Sequence, residues 1–179
     1  MSSPAIGDAI RRPRCLRERF ERDILPYVSR PTRYLGAELN SIRKDLDTVR
    51  TSVAFCFPDK YEVGMSHLGL HLLYKILNDR ADVAAERCFA PDLDCEELLR
   101  AKGLPLCTLE SGWPLGEVDI VAFTLQYDLC YTNLLAMLDL AGMPLEGAER
   151  GDEHPLVIAG GSCTANPEPL ADFVDLFVI

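Results

Sequence analysis

Four short apolar runs constrain this chain more than anything else in it: Val53–Phe57, Asp119–Leu125, Leu156–Gly161 and Asp175–Ile179. They are rich in β-branched and aromatic residues and do not alternate with polar ones, the pattern of strands buried on both faces of a parallel sheet. Glu86 to Ala90 reads as a further strand and Leu104 to Leu109 as a short extra one. Helical stretches fall between them. One is expected from about Ser66 to Asn78, with Leu68, Leu72, Leu73, Ile76 and Leu77 facing inward and His67, His71, Lys75 and Asn78 on another face. A second opens at Asp94, with Glu97 three residues on as in a capping box, and stops at Gly103. A third runs from roughly Tyr131 to Ala141 and stops at Gly142, with Pro144 just beyond. Strands alternating with helices imply right-handed βαβ units, hence an α/β fold with a doubly wound parallel sheet of about five strands.

The first 48 residues read differently, as an N-terminal helical arm ahead of an α/β domain at 49–179. Residues 1–12 have no period and are expected to be disordered. Leu16, Phe20 and Ile24 then form one helical stripe between Arg14 and Tyr27, ended by Pro26 and Pro31. Charge divides along the same line. Residues 1–50 hold 11 Lys and Arg against 7 Asp and Glu, a net +4, and residues 51–179 hold 7 against 21, a net −14. An acidic body argues against nucleic-acid binding by it, and the basic arm is expected to lie against an acidic body or partner. The seven cysteines form no C-x-x-C or C-x-x-x-C-x-x-C, which argues against a zinc or iron–sulfur site within the chain. No apolar run approaches a membrane span and the N-terminus carries no secretory pattern, so a cytoplasmic protein is expected.

The loops after the strands are where an open α/β sheet places its ligand. After Phe57 comes Asp59-Lys60-Tyr61-Glu62-Val63-Gly64, a D-x-Y-x-x-G loop leading through Ser66 to His67. Thr124, Gln126 and Tyr127 leave another strand at that edge, and Gly160-Gly161-Ser162 leaves a third, its glycines free to approach a ligand closely. His67 and His71 share a helix face but find no third ligand, so they read as a solvated or loop-contacting pair, and no metal site is assigned. There is no G-x-G-x-x-G, P-loop or G-x-S-x-G, and no catalytic set within these residues.

The Asp59–Gly64 loop differs by one residue from the D-x-H-x-x-G loop of cobalamin-binding domains, with Tyr61 at the histidine position. Further stretches extend the likeness: Arg33–Asn40, Phe57–Gly69, Leu109–Ser111, Phe123–Asn133, Val157–Gly161, Asn166–Asp172 and Asp175–Ile179. Together, over about residues 22–179, they resemble the N-terminal region of cobalamin-binding-domain radical SAM proteins. That resemblance implies a Rossmann/flavodoxin-like domain ahead of a radical SAM barrel in the same longer protein, with a [4Fe-4S] cluster and S-adenosylmethionine held only by the barrel. It implies a corrinoid positioned for methyl or radical chemistry by Asp59, Tyr61, Glu62, Val63, Gly64, Ser66, His67, Thr124, Gln126, Tyr127, Gly160, Gly161 and Ser162. Tyr61 removes histidine ligation of cobalt. On this reading the chain is a fragment that stops in mid-strand and has no turnover of its own. Two alternatives stay open: a cofactor-free scaffold docking the barrel or a partner, and a binder of FMN or another small phosphate ligand.

Overall fold

The computed structural model describes residues 15–45 and 48–179; the expectation for residues 1–12 lies outside them. Five strands, β1 (Thr51–Phe57), β2 (Val83–Phe89), β3 (Ile120–Thr124), β4 (Leu156–Gly160) and β5 (Leu176–Val178), form one sheet. Its order is β2-β1-β3-β4-β5 and every pairing is parallel. The helices are α1 (Arg17–Asp23), α2 (Tyr61–Met65), α3 (Leu68–Asp79), α4 (Leu93–Lys102) and α5 (Tyr131–Leu140). This is the doubly wound α/β fold expected, and the strand order reverses direction between β1 and β3. Among the described residues no helix is long and apolar enough to cross a membrane.

Strand alternation divides the core into two layers. Ala54, Cys56, Val121, Phe123, Val157 and Ala159 point to one face and meet Leu99 of α4 and Leu134, Met137 and Leu138 of α5. Phe20, Ile24 and Val28 enter the same layer, so the stripe on the arm is part of the main core. Val53, Phe55, Phe57, Val83, Ala85, Phe89 and Ala122 point to the other face, where Leu70 of α3 meets them.

Being an edge strand, β2 has one row of backbone groups that no neighbouring strand can satisfy. Side chains and a loop take that role. Asn78 donates to the Ala85 carbonyl (2.9 Å) and accepts from the Ala85 N–H (3.1 Å). Glu110 accepts from the Arg87 N–H (2.7 Å), the Leu109 N–H donates to the Arg87 carbonyl (2.7 Å), and Lys44 donates to the Val83 carbonyl (2.6 Å).

That demand turns α3 around from its expected orientation. Leu70, Tyr74 and Asn78 are its buried residues, while Leu68, Leu72, Leu73 and Ile76 are exposed. The helix presents to the sheet the stripe that carries Asn78, and most of the leucines fall outside it. Three smaller expectations also change. Leu104 to Leu109 is no strand: it makes one isolated antiparallel bridge, Cys107 to Pro114. The cap of α4 is Asp92 and not Asp94, whose carboxylate instead accepts from Ser29 N–H (2.7 Å) and Cys95 N–H (2.8 Å). The stretch expected as a loop from Asp59 to Gly64 holds a short helix, α2, starting at Tyr61; the helix expected from about Ser66 is α3, capped by His67, whose Nδ1 accepts from Leu70 N–H (3.1 Å).

Candidate functional site at the carboxyl edge of the sheet

Three turns meet where β1, β3 and β4 end. Asp59 follows β1; its carboxylate accepts from Lys60 N–H (2.6 Å) and from the Tyr127 hydroxyl, which follows β3. Asn133 of α5 donates to the Pro58 carbonyl (3.0 Å), tying the first loop to the helix after β3. On the other side of β3, the Ser162 hydroxyl donates to the Gln126 carbonyl (2.9 Å) and Cys163 N–H donates to the Leu125 carbonyl (3.2 Å). Gly161 makes this approach possible. Its φ is +115°, and a Cβ there would sit 2.3 Å from the Leu125 oxygen and 3.0 Å from the Gln126 amide nitrogen. Only glycine takes that conformation at that distance without strain.

Beside this junction lies an open depression of about 490 Å³, lined by Asp128, Tyr131, Ser162, Cys163, Asn166 and Pro169. The Cys163 thiol points at the Asp128 carboxylate (3.4 Å). Burial, then the bond to Asp128, raises the Cys163 thiol above its ordinary range. Burial, then Cys163 and Asp128, does the same to the Tyr131 phenol, and burial with Asp59 does so to Tyr127. These groups keep their protons at neutral pH. The rim therefore offers hydroxyl, thiol and amide hydrogen bonds with two carboxylates, Asp59 and Asp128, and among the described residues no activated nucleophile.

Of the residues singled out in the sequence, Asp59, Gln126, Tyr127, Gly161 and Ser162 converge here, with Gly160 and the buried Thr124 at the strand ends directly beneath. The rest of the first loop turns elsewhere. Tyr61 packs edge-on against Phe89 (5.5 Å between centroids) and its hydroxyl donates to Glu38 (2.9 Å). Burial and that carboxylate push its pKa up to about 12. Gly64 serves packing: a Cβ there would lie 2.4 Å from the Phe89 ring. Glu62 pairs with Arg33 of the arm (2.7 Å), and Arg33 also pairs with Asp92, so arm and body meet through opposite charges. Val63 is exposed, and its carbonyl accepts from the Ser66 hydroxyl (2.7 Å). His67 is used as a cap, and His71 Nε2 is 2.7 Å from the Met65 carbonyl.

Asp128, Tyr131, Cys163 and Asn166 line the depression and are not among the candidates read from the sequence. The available signal was their position, since each follows closely on the end of β3 or β4. A second, smaller and partly open cavity of about 40 Å³ lies under the arm, among Phe20, Tyr34, Cys88, Phe89, Cys95 and Leu106. It has room for a few waters at most.

Two comparisons bear on this rim. The family described as radical SAM proteins, N-terminal, matches residues 69–179, more than half of the chain. The match includes the β3 and β4 turns and starts beyond the Asp59–Gly64 loop. The chain is also similar to "Uncharacterized protein MJ0966" of Methanocaldococcus jannaschii, 25% identical over 129 residues. The aligned part is 72% of this chain and 23% of that relative, so the chain spans about a quarter of its length.

Proposed function

Because the chain belongs to the radical SAM N-terminal family, we propose that it is the module of a longer radical SAM protein that holds a corrinoid along its carboxyl rim. The observation that carries the reading is the junction of three separate βα turns, through Asp59 with Tyr127 and Ser162 with Gln126, around a glycine that removes a side chain from the shelf. This rim stands at the reversal of strand order, where open α/β sheets take their ligands.

The donor chemistry would suit a corrinoid to which this chain gives peripheral hydrogen bonds only. Amide, hydroxyl and carboxylate groups of Gln126, Tyr127, Ser162 and Asp128 suit the amide-bearing periphery of a corrin, whereas Tyr61 is engaged by Glu38 and Phe89. When bound, the corrinoid supplies methyl-transfer or radical chemistry. These residues bind and orient it, and Gly161 keeps the approach open. The [4Fe-4S] cluster and S-adenosylmethionine belong to a further domain and to no residue here.

Loading with hydroxocobalamin, followed by gel filtration and a visible spectrum, tests this. Corrin bands are expected to elute with the protein. Gly161→Val is expected to abolish them while costing about 1–3 kcal/mol of stability, the scale of overpacking strain. Tyr61→His is expected to leave the bound spectrum unchanged, because a side chain at 61 is directed at Glu38; a shift to a histidine-ligated form contradicts that placement. A protein that stays colourless removes the corrinoid from the reading. A second reading, a cofactor-free scaffold, is favoured by the Asp59–Tyr127 bond spanning the crevice between β1 and β3, and the colourless result supports it. Retention of FMN in place of cobalamin supports the flavin alternative.

A further inference from the structure

The face of the sheet opposite α4 and α5 is covered unevenly. α3 packs over β2 and β1, with Leu70 buried against them. Over β3, β4 and β5 no described helix lies on that face. Leu156 and Ile158 alternate with the buried Val157 and Ala159 and so point to it; Leu176 pairs with Ile158, and Val178 with Gly160. Leu156, Leu176 and Val178 are exposed, Val178 by 55%. On the same side of the sheet, over β2 and β1, the outward side of α3 carries Leu68, Leu72, Leu73 and Ile76, Leu68 exposed by 80%. Parallel sheets are almost always covered on both faces, and an apolar surface of this extent marks a contact site.

We infer that this face, α3 together with the β4–β5 surface, is the seat on which the remainder of the full-length polypeptide packs an apolar-faced helix. The inference rests on that part of the proposed function which joins the chain to a further domain, and not on the corrinoid. The family is by description the N-terminal part of radical SAM proteins, and the aligned part is 23% of a relative's length, so the proposed longer protein would have a much larger body to supply the cover. The described part of the arm does not supply it, because Phe20, Ile24 and Val28 are buried in the main core and Arg33 is held by Glu62 and Asp92. A second copy is disfavoured by charge, since residues 51–179 carry a net −14 and two such bodies repel. Chirality narrows the route. A right-handed connection to a strand beyond β5 would lie on the face of α5, so a helix on the open face returns toward the sheet centre or comes from a separate body. The seat also adjoins the rim, because Gly160 at the rim end of β4 pairs with Val178 of the seat. A body seated there stands over the proposed ligand shelf.

Hydroxyl-radical footprinting of the full-length protein tests this, with the exposed Leu39 and Leu93 as internal standards. Leu68, Leu72, Ile76, Leu176 and Val178 are expected to label several-fold less than the standards, equally at high and low protein concentration. Leu72→Glu with Ile76→Glu is expected to raise labelling of Leu176 and Val178 to the standards' level, with the buried Leu70 still protected. Labelling equal to the standards in the unaltered protein overturns the inference. So does protection that falls on dilution together with a halving of mass by light scattering, the signature of a second copy. A protected face without corrinoid binding sinks the rim reading alone, and bound corrinoid with an unprotected face sinks the docking alone.

Discussion

Arg87→Met is expected to cost about 3–5 kcal/mol of stability at neutral pH, because it strands a buried carboxylate. Arg87 and Glu110 are both fully buried, and the Arg87 Nε donates to Glu110 at 2.6 Å. The rest of the guanidinium is used as well. It donates to Ser41 (3.0 Å), lies 3.4 Å from Glu38, and sits 4.7 Å above the Tyr74 ring. Burial alone raises the Glu110 pKa, and Arg87 is the main influence pulling it back down. Without the arginine, Glu110 must stay charged in an apolar site or take up a proton, while Glu38 and Ser41 lose a partner. The 36–45 segment should then open to protease before the sheet does. Arg87→Met combined with Glu110→Gln is expected to recover most of the loss, since the amide oxygen still accepts from the Arg87 backbone position and no charge is stranded. Urea unfolding of the single and double variants at pH 7 measures both. A single-variant loss below about 1 kcal/mol, the range of a surface pair, would show that the ion pair is not buried in solution.

This pair also shows where sequence reading stops. The strands were legible as uninterrupted apolar runs, and the parallel doubly wound sheet followed from their alternation with helices; β1 and β3 are buried on both faces as expected, whereas β4 and β5 keep one face exposed. β2 was caught only in part: the run from Glu86 to Ala90 was visible, but the strand begins at Val83 and holds Glu86 and Arg87 inside. Charges in a sequence read as surface, and nothing local announces that Glu110, 23 positions on, folds back to meet Arg87. The error on α3 has the same root. Counting apolar residues favoured the leucine stripe, whereas the edge of β2 required an amide at Asn78 and so selected the opposite face. At the rim, turns after strands were readable as positions. Which of them touch is a tertiary matter: Tyr127 reaches Asp59, while Tyr61, in the most motif-like stretch, turns away beneath the arm.

Glu86→Gln is expected to remove a loss of stability that the unaltered protein suffers between about pH 4.5 and pH 7. Glu86 is 1% exposed; one oxygen accepts from the Thr108 hydroxyl (2.6 Å) and the Ser111 N–H (2.9 Å), and the other has no partner. Burial is the largest influence and pushes its pKa from 4.5 up to about 7, with the charge of Glu110 adding to it and the Ser111 and Thr108 bonds opposing. The folded protein thus holds this proton more tightly than the unfolded chain does. Stability from this group is fully present below pH 4.5, falls as pH rises toward the folded value near 7, and is level above it. At ~1.4 kcal/mol per pH unit the difference amounts to about 3 kcal/mol. A glutamine keeps an acceptor for Thr108 and Ser111 and never ionises, so its stability should show none of this slope. The subtraction of the two pH profiles isolates Glu86 from every other carboxylate. The consequence reaches the arm, because Ser111 and Gly112 carry the loop to which the start of α1 docks, through Leu16 N–H to the Gly112 carbonyl (2.8 Å) and the Cys15 thiol to the Ser111 carbonyl (2.7 Å). Protease release of the arm should accordingly rise with pH across the same window in the unaltered protein and stay flat in the variant. Parallel pH profiles in the two proteins would mean that Glu86 is solvated, and that the loop holding α1 is fastened by its backbone bonds alone.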